Sequence, residues 1–286
     1  EIELDTDDKN VTKLSAGASF YKLHGLAADE FPPLPKFKET GSVTLPQDKL
    51  KAMLRKTSIA ISTDESRYVL NGVFMKFSPE KLVMVSTDGR RLALTEEDLP
   101  AGSTAQGDII VPTKAVNELN RLLQTKGDVE IRFTDNQVSF RLKDETAFSV
   151  LLVSKLVEGN YPNYQQVIPK EGGRRITVNR LELESALRRV SVLSKDKASA
   201  VKVSFEPGKM TLFSSSPDYG EATEELPARY EGDAHSSGFN ARYLLDVFGV
   251  MDGEHVSLQM ETPLSPCLIQ EPESPGFKCV VMPIKI

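Results

Sequence analysis

VFMKFSPEKLVMVS (73–86) lies over VKVSFEPGKMTLFS (201–214) without a gap, and this match decides how the chain of 286 residues is built. Val73 falls on Val201, Phe77 on Phe205, Pro79 on Pro207, Lys81 on Lys209 and Ser86 on Ser214, a spacing of 128 residues. At the same spacing Thr95-Glu96-Glu97 meets Thr223-Glu224-Glu225, and Lys114 meets Arg242. LPQDKLKAMLRK (45–56) matches VNRLELESALRR (178–189) at a slightly larger spacing, and Phe148 matches Phe277. A register that holds through apolar runs and turns alike marks a duplicated module. A third, partial copy stands at the front: ASFYKLHGLAADEFPPLPKF (18–37) parallels 146–167, with Phe20 on Phe148. The expected plan is the tail of one module at 1–38, a full module at 39–165 and another at 166–286. The connectors FPPLPKFKETG and YPNYQQVIPKEGG carry the Pro and Gly expected between modules.

Each full module reads as helix, strands, helix, strands. Pro46 and Pro112 are expected to open the two helices of the first copy, since proline has no N–H to lose in the first turn. Asn179 and Asn240 stand at the same places in the second copy and are good N-caps. Leu50, Met53 and Leu54 form an apolar stripe, as do Val116, Leu119, Leu122 and Leu123. The later stripes are Leu183, Ala186, Leu187 and Val190, then Leu244, Val247, Phe248 and Met251. VFMKF, LVMVS, VEIRF, VSFRL and FSVLLV between the helices have the Val/Phe/Thr content of strands. Two helices on a mostly antiparallel sheet per module give an α+β class.

Composition narrows the function. The formal net charge is −6, with 40% hydrophobic and 27% charged residues, as in an ordinary globular protein. The opening EIELDTDDKN is polar and acidic, so no secretion signal is expected, and Asn10-Val-Thr12 therefore carries no glycosylation meaning. No apolar run approaches the ~18 residues of a membrane helix. Two cysteines, Cys267 and Cys279, exclude a disulfide scaffold and fit a reducing cytoplasm. His24, His235 and His255 are far apart, no zinc spacing occurs, and no phosphate-loop motif is present. No cofactor or metal is expected. Positive charge collects on the helices: Lys49, Lys51, Arg55 and Lys56 on the first, Lys114 and Arg121 on the second, Arg188, Lys195 and Lys197 on or after the third. Such charge marks either a solvated helix face or a surface that meets phosphates rather than bases, and the second would permit binding without sequence preference.

TDGRRLAL (87–94), SRYVLNG (66–72), EGNYPNYQQVIP (158–169), GFNARYLLDV (238–247) and VVMPIKI (280–286) follow one another in the chain. By itself TDGRRLAL is a charged turn with Arg90 and Arg91 projecting from it. Together the five stretches resemble the beta subunit of bacterial DNA polymerase III, the sliding-clamp family, from about residue 18 onward. The resemblance implies a DNA-clamp fold of tandem domains, with most of a first domain missing from this chain. It implies a processivity factor without catalysis, whose subunits close head-to-tail as a homodimer around double-stranded DNA. The DNA-near set would be the helix cations above with Arg67 and Tyr68.

The resemblance also implies a groove for short peptides from the replicative polymerase, the clamp loader and repair polymerases. Its residues would be Arg67, Leu70, Thr87, Gly89, Arg90, Arg91 and Leu92, with Pro162, Gln166 and Val167 from the connector. Tyr243, Leu264, Pro266, Val280, Val281, Met282, Pro283 and Ile284 would complete it. Apolar walls with a methionine suit a Leu/Phe anchor. The ring interface would use Phe20 and Leu23 on one side, Val192 and Leu193 on the other. Arg90, Gln166 and Asp64 depart from familiar members, which have His, Arg and Gln there. Two other readings compete: a hydrolase built on Asp88 or Glu158, for which no nucleophile–base pair is in view, and a repeat scaffold that binds proteins only.

Overall fold

A computed structural model of the chain describes residues 1–31, 33, 37, 41–143, 149–170, 172–194 and 199–285. The chain forms two compact units, Glu1–Lys38 and Glu39–Ile286. The first is an antiparallel meander of β1 (Glu3–Thr6), β2 (Val11–Ala16) and β3 (Ser19–His24), in the order β1-β2-β3. The Asp7 carboxylate accepts the backbone N–H groups of Lys9 and Val11 and shapes the turn between β1 and β2.

The second unit runs through one series of elements twice. The first pass is β4 (Ser42–Pro46), α1 (Gln47–Ser58), β5 (Gly72–Phe77), β6 (Lys81–Thr87), β7 (Arg91–Asp98), β8 (Gly107–Pro112), α2 (Thr113–Leu122), β9 (Asp128–Phe133), β10 (Gln137–Lys143) and β11 (Ser149–Lys155). The second pass is β12 (Arg174–Asn179), α3 (Arg180–Val190), β13 (Ala200–Glu206), β14 (Lys209–Ser216), β15 (Gly220–Pro227), β16 (His235–Asn240), α4 (Ala241–Phe248), β17 (His255–Met260), β18 (Cys267–Glu271) and β19 (Ser274–Val281). All strand pairs are antiparallel. Two four-stranded sheets, β11-β10-β9-β4 and β15-β14-β13-β16, flank an eight-stranded sheet ordered β12-β17-β18-β19-β7-β6-β5-β8. The eight strands come from both passes, and the joint is β19 on β7, from Phe277 opposite Thr95 to Val281 opposite Arg91.

Local chemistry explains the element ends. Asn179 accepts the N–H of Glu182, and Asn240 accepts those of Arg242 and Tyr243, as N-caps do, each contributing about 1 kcal/mol. Pro46 and Pro112 do not open their helices. Both are extended, close the preceding strand and occupy the N-cap position. Gln47 then gives its N–H to the Gly127 carbonyl, which a helical Pro46 would displace. At the other ends a repeated device appears: Ser86 on β6 donates to the Thr57 carbonyl at the end of α1, and Ser214 on β14 donates to the Val190 carbonyl at the end of α3, 2.7 Å away.

Period-two alternation sorts the strands of the eight-stranded sheet. Val73, Met75, Phe77, Leu82, Met84 and Val111 face α1 and α2; Val256, Leu258, Ile269, Phe277, Cys279 and Val281 face α3 and α4. Ala93 on β7 shares the core of α3 and α4, opposite Cys279. All four helices therefore lie on one face of a continuous sheet. The other face carries Phe74, Val85, Leu92, Leu94, Ile110, Leu268 and Val280, covered by Val157, Tyr161, Tyr164 and Ile168 of the connector between the passes. The Phe74 and Tyr161 rings stack 4.8 Å apart.

Candidate functional site

The functional residues expected from the sequence gather where β7 meets β19. Between β6 and β7, Thr87 accepts the Gly89 N–H and donates to the Arg91 carbonyl, while Asp88 accepts the N–H groups of Arg90 and Arg91. Gly89 has φ +83°, a turn conformation that favours glycine, and the nearest atom a Cβ there would meet is the mobile end of the Arg67 side chain. Only Arg90 projects from this turn. Arg91, expected to project with it, is turned inward, its side chain 12% exposed. Its guanidinium meets Asp88 at 3.2 Å and Asp246 of α4 at 2.6 Å, and lies over the Tyr243 ring, 4.4 Å from the centroid. Buried positive charge needs this degree of pairing. Asp88 is thus committed to the turn and to Arg91, which leaves no role for it as a nucleophile.

Beside Arg91 a cavity of about 400 Å³ opens between Ile61–Asp64, Arg67, the turn, and Arg242, Tyr243 and Asp246. Arg67 is held by Asp64 at 3.1 Å; hydrogen bonds from Ser66, ahead of Arg67, hold that carboxyl below the usual range. From the turn the C-terminal segment crosses to the second pass: Met282 donates its N–H to the Arg90 carbonyl, and Ile284 donates to Gly238. A second cavity of about 430 Å³ lies past Ile284, between Leu264, Pro263, Ser236, Ser237 and Lys202. On the connector, Pro162, Gln166 and Val167 are exposed above the buried outer cluster. Burial raises the Tyr161 phenol well above its ordinary value.

Not every side chain expected in the groove reaches the surface. Leu92 and Val280 face the connector side and are buried in the cluster that it covers; Leu70 is buried as well. Val281 is a correction: alternation along β19 turns it to the helix side, into the core with Phe277 and Cys279. Met282 and Leu264 are exposed, and Pro283, Ile284 and Pro266 are half-buried.

Comparison with known proteins decides the family. Residues 44–163 match the central domain of the DNA polymerase III beta subunit, and residues 165–285 match its C-terminal domain. A beta sliding clamp of Caulobacter vibrioides is 35% identical over 290 residues, covering 100% of this chain and 76% of the relative. The crystal structure of the Bacillus subtilis DNA polymerase sliding clamp superposes with a TM-score of 0.91 at 30% identity, covering 100% of this chain and 75% of that one. A sliding clamp of Bartonella birtlesii bound to griselimycin gives 0.87 at 34% identity, covering 100% and 76%. The chain belongs to the DNA polymerase III beta-subunit family, the sliding clamps. Its fold is the α+β clamp fold, and its role is that of a processivity factor with no catalysis of its own.

Several clamp residues expected to face DNA are engaged within the protein. Lys49 pairs with Glu97, Arg55 with Asp252 at 2.7 Å, Arg121 with Glu118 and Arg188 with Glu184, while Lys51 donates to the Leu123 carbonyl. Lys114 is exposed and has no ion pair among the described residues. Lys56 is a correction. Its side chain is 14% exposed, sits over the Phe277 ring, and lies 3.7 Å from the buried Glu271 and 3.6 Å from Asp252. It joins the two passes instead of facing outward. Tyr68 is exposed and, with Val69, stands beside Gly159 of the connector. Lys195 and Lys197 lie outside the described residues, as does Phe148. Phe20 (63% exposed), Leu23 (50%) and Val192 (59%) are open, and Leu193 is half-buried.

Sequence reasoning missed the Lys56–Glu271–Asp252 clasp and the partnership of Asp246 with Arg91 of the turn. Their partners are 155 or more residues away in the chain, where no spacing signal reaches. Among the described residues no helix is long and apolar enough to cross a membrane.

Proposed function

We propose that the chain takes part in a ring that encircles duplex DNA without reading its sequence. Its groove tethers the replicative polymerase, the clamp loader and repair polymerases through short peptides. The observation that carries this reading is the unbroken β7–β19 ladder, which gives four helices one face and the connector the other. A duplex passing the helix face meets Lys114, which has no ion pair among the described residues, and several cations already satisfied by carboxylates. Few counterions are released by such a surface, so contact is weak and sliding is easy. The DNA-near set is then Lys49, Lys51, Arg55, Lys114, Arg121 and Arg188 on the helices, with Arg67 and Tyr68, and with Lys195 and Lys197 assigned from the sequence alone. Residues 39–165 and 166–286 are the two complete domains, and 1–38 is the end of a further one.

The same ladder suggests how copies join. β7 and β15 hold equivalent places in the two passes, and β3 holds the place of β19 in the repeat read from the sequence. β3 and β15 are both edge strands among the described residues. A β15–β3 pairing between subunits would repeat the β7–β19 joint head-to-tail and cover Phe20, Leu23, Val192 and Leu193.

Two measurements test these readings. Loaded by a clamp loader onto nicked circular duplex, the protein stays bound through gel filtration and leaves when the circle is cut. Equal retention on circular and linear DNA means a protein-only scaffold. Deleting residues 282–286 removes the strap that bonds to Arg90 and Gly238 and abolishes peptide binding while the melting transition persists. Undiminished peptide affinity rules out the groove.

A further inference from the structure

Cations of the helix face are neutralised from three different elements. On α2, Glu118 stands three residues before Arg121 and holds it at 2.7 Å; on α3, Glu184 stands four residues before Arg188 and holds it at 2.6 Å. Lys49 of α1 takes Glu97 from β7, 48 residues further along, so helical spacing does not account for that pair. The three cations keep 50%, 76% and 63% of their side-chain surface for Lys49, Arg121 and Arg188, which leaves them within reach of a polyanion. Exposed pairs of this kind contribute little to stability, because solvent screens them and two long side chains must be ordered. Their larger effect is on the field outside the protein, where each carboxylate cancels a charge that would otherwise meet a phosphate. Lys114 of α2 is the contrasting case, exposed and with no ion pair among the described residues.

We propose that Glu97, Glu118 and Glu184 set the strength of DNA contact, holding Lys49, Arg121 and Arg188 back from the phosphates so that the duplex is gripped loosely. The inference rests on the reading of the helix face as the side that meets DNA, and it assigns the control of that contact to three carboxylates. A cation that neutralises a phosphate releases a condensed counterion, and each such contact adds about 0.9 to the steepness of log affinity against log salt. With its carboxylate beside it, the cation reaches a phosphate only by breaking the pair or by bringing a second negative charge to the backbone. Arg55 follows the same pattern with Asp252, but that carboxylate also serves Lys56 and is left untouched in the test.

The test replaces the three carboxylates by their amides, Glu97→Gln, Glu118→Gln and Glu184→Gln, in the whole chain. A second triple variant, Glu158→Gln, Glu231→Gln and Glu261→Gln, makes the same change in net charge at exposed positions off the helices. Lys114→Gln removes the unpaired cation. Binding of a labelled linear duplex of mixed sequence is followed by anisotropy over a salt series, with melting curves as a folding control. The first triple variant binds about tenfold or more tightly at low salt, and its salt dependence steepens by roughly 2–3. Glu118→Gln alone, at the most exposed of the three cations, steepens it by about 0.9. The second triple variant changes both quantities much less, and all variants melt with the wild type. An unchanged slope in the first triple variant and in Glu118→Gln, or an equal gain in the second triple variant, overturns the assignment. Lys114→Gln separates the two readings. If it weakens binding while the first triple variant does not strengthen it, the helix face meets DNA and the carboxylates are not its control. If neither alters binding, the helix face does not meet the duplex, and the proposed orientation falls with the inference.

Discussion

His235 lies on β16 with its ring stacked on Phe205, centroids 5.8 Å apart, and its Nε2 has no hydrogen-bond partner among the described residues. Burial, aided by the nearby Arg174 charge, depresses its pKa below the ordinary 6.5. The unfolded chain therefore binds a proton there before the folded chain does. Stability from this site is complete above 6.5 and is lost as pH falls from 6.5 toward the lowered value. A His235→Phe variant should lose that slope, so its melting temperature gains on the wild type as the pH drops from about 7 to about 5. Parallel pH curves for the two proteins contradict this. Single residues were unevenly legible. Gly89 in TDGRR announced a turn, because few other residues tolerate a positive φ. The inward course of Arg91 did not show, since only folding brings Asp246 and the Tyr243 face to it.

The paired use of Ser86 and Ser214 belongs to the element scale. Each hydroxyl satisfies a carbonyl at the end of a helix that the helix itself leaves unpaired. Replacing Ser214 by Ala leaves the Val190 carbonyl only the long Leu193 N–H contact at 3.4 Å and should cost about 1 kcal/mol, seen as a lower urea midpoint at unchanged slope. A loss below about 0.5 kcal/mol in the same measurement means that water or another donor reaches the carbonyl. The helices were readable because their apolar stripes and Asn caps are local signals. Their proline starts were misjudged by one residue, since Pro46 and Pro112 satisfy the strand they end as well as the helix they precede. Val281 shows the matching weakness for strands. VVMPIKI is apolar throughout, so composition does not tell the core face from the groove face, and only pairing with β7 sets the phase.

Across the whole molecule, the repeat was visible in the sequence and the joint between its copies was not. Arg91 with Asp246 ties the passes at the turn. Lys56 does so elsewhere through Glu271, whose Oε1 also accepts the N–H groups of Asp252 and Gly253. Lys56→Met would leave the Glu271 carboxylate buried against one fewer cation, and stability should fall by ~3 kcal/mol. Adding Glu271→Gln should recover part of it in a double-mutant cycle; a double variant as weak as the sum of the singles would show that the two do not act as a pair. Covalent continuity between the passes runs only through the connector, whereas the hydrogen-bonded sheet and a shared core run straight across. A protease nick in the exposed stretch 165–167 should therefore give two fragments that travel as one particle in native chromatography and come apart only in denaturant.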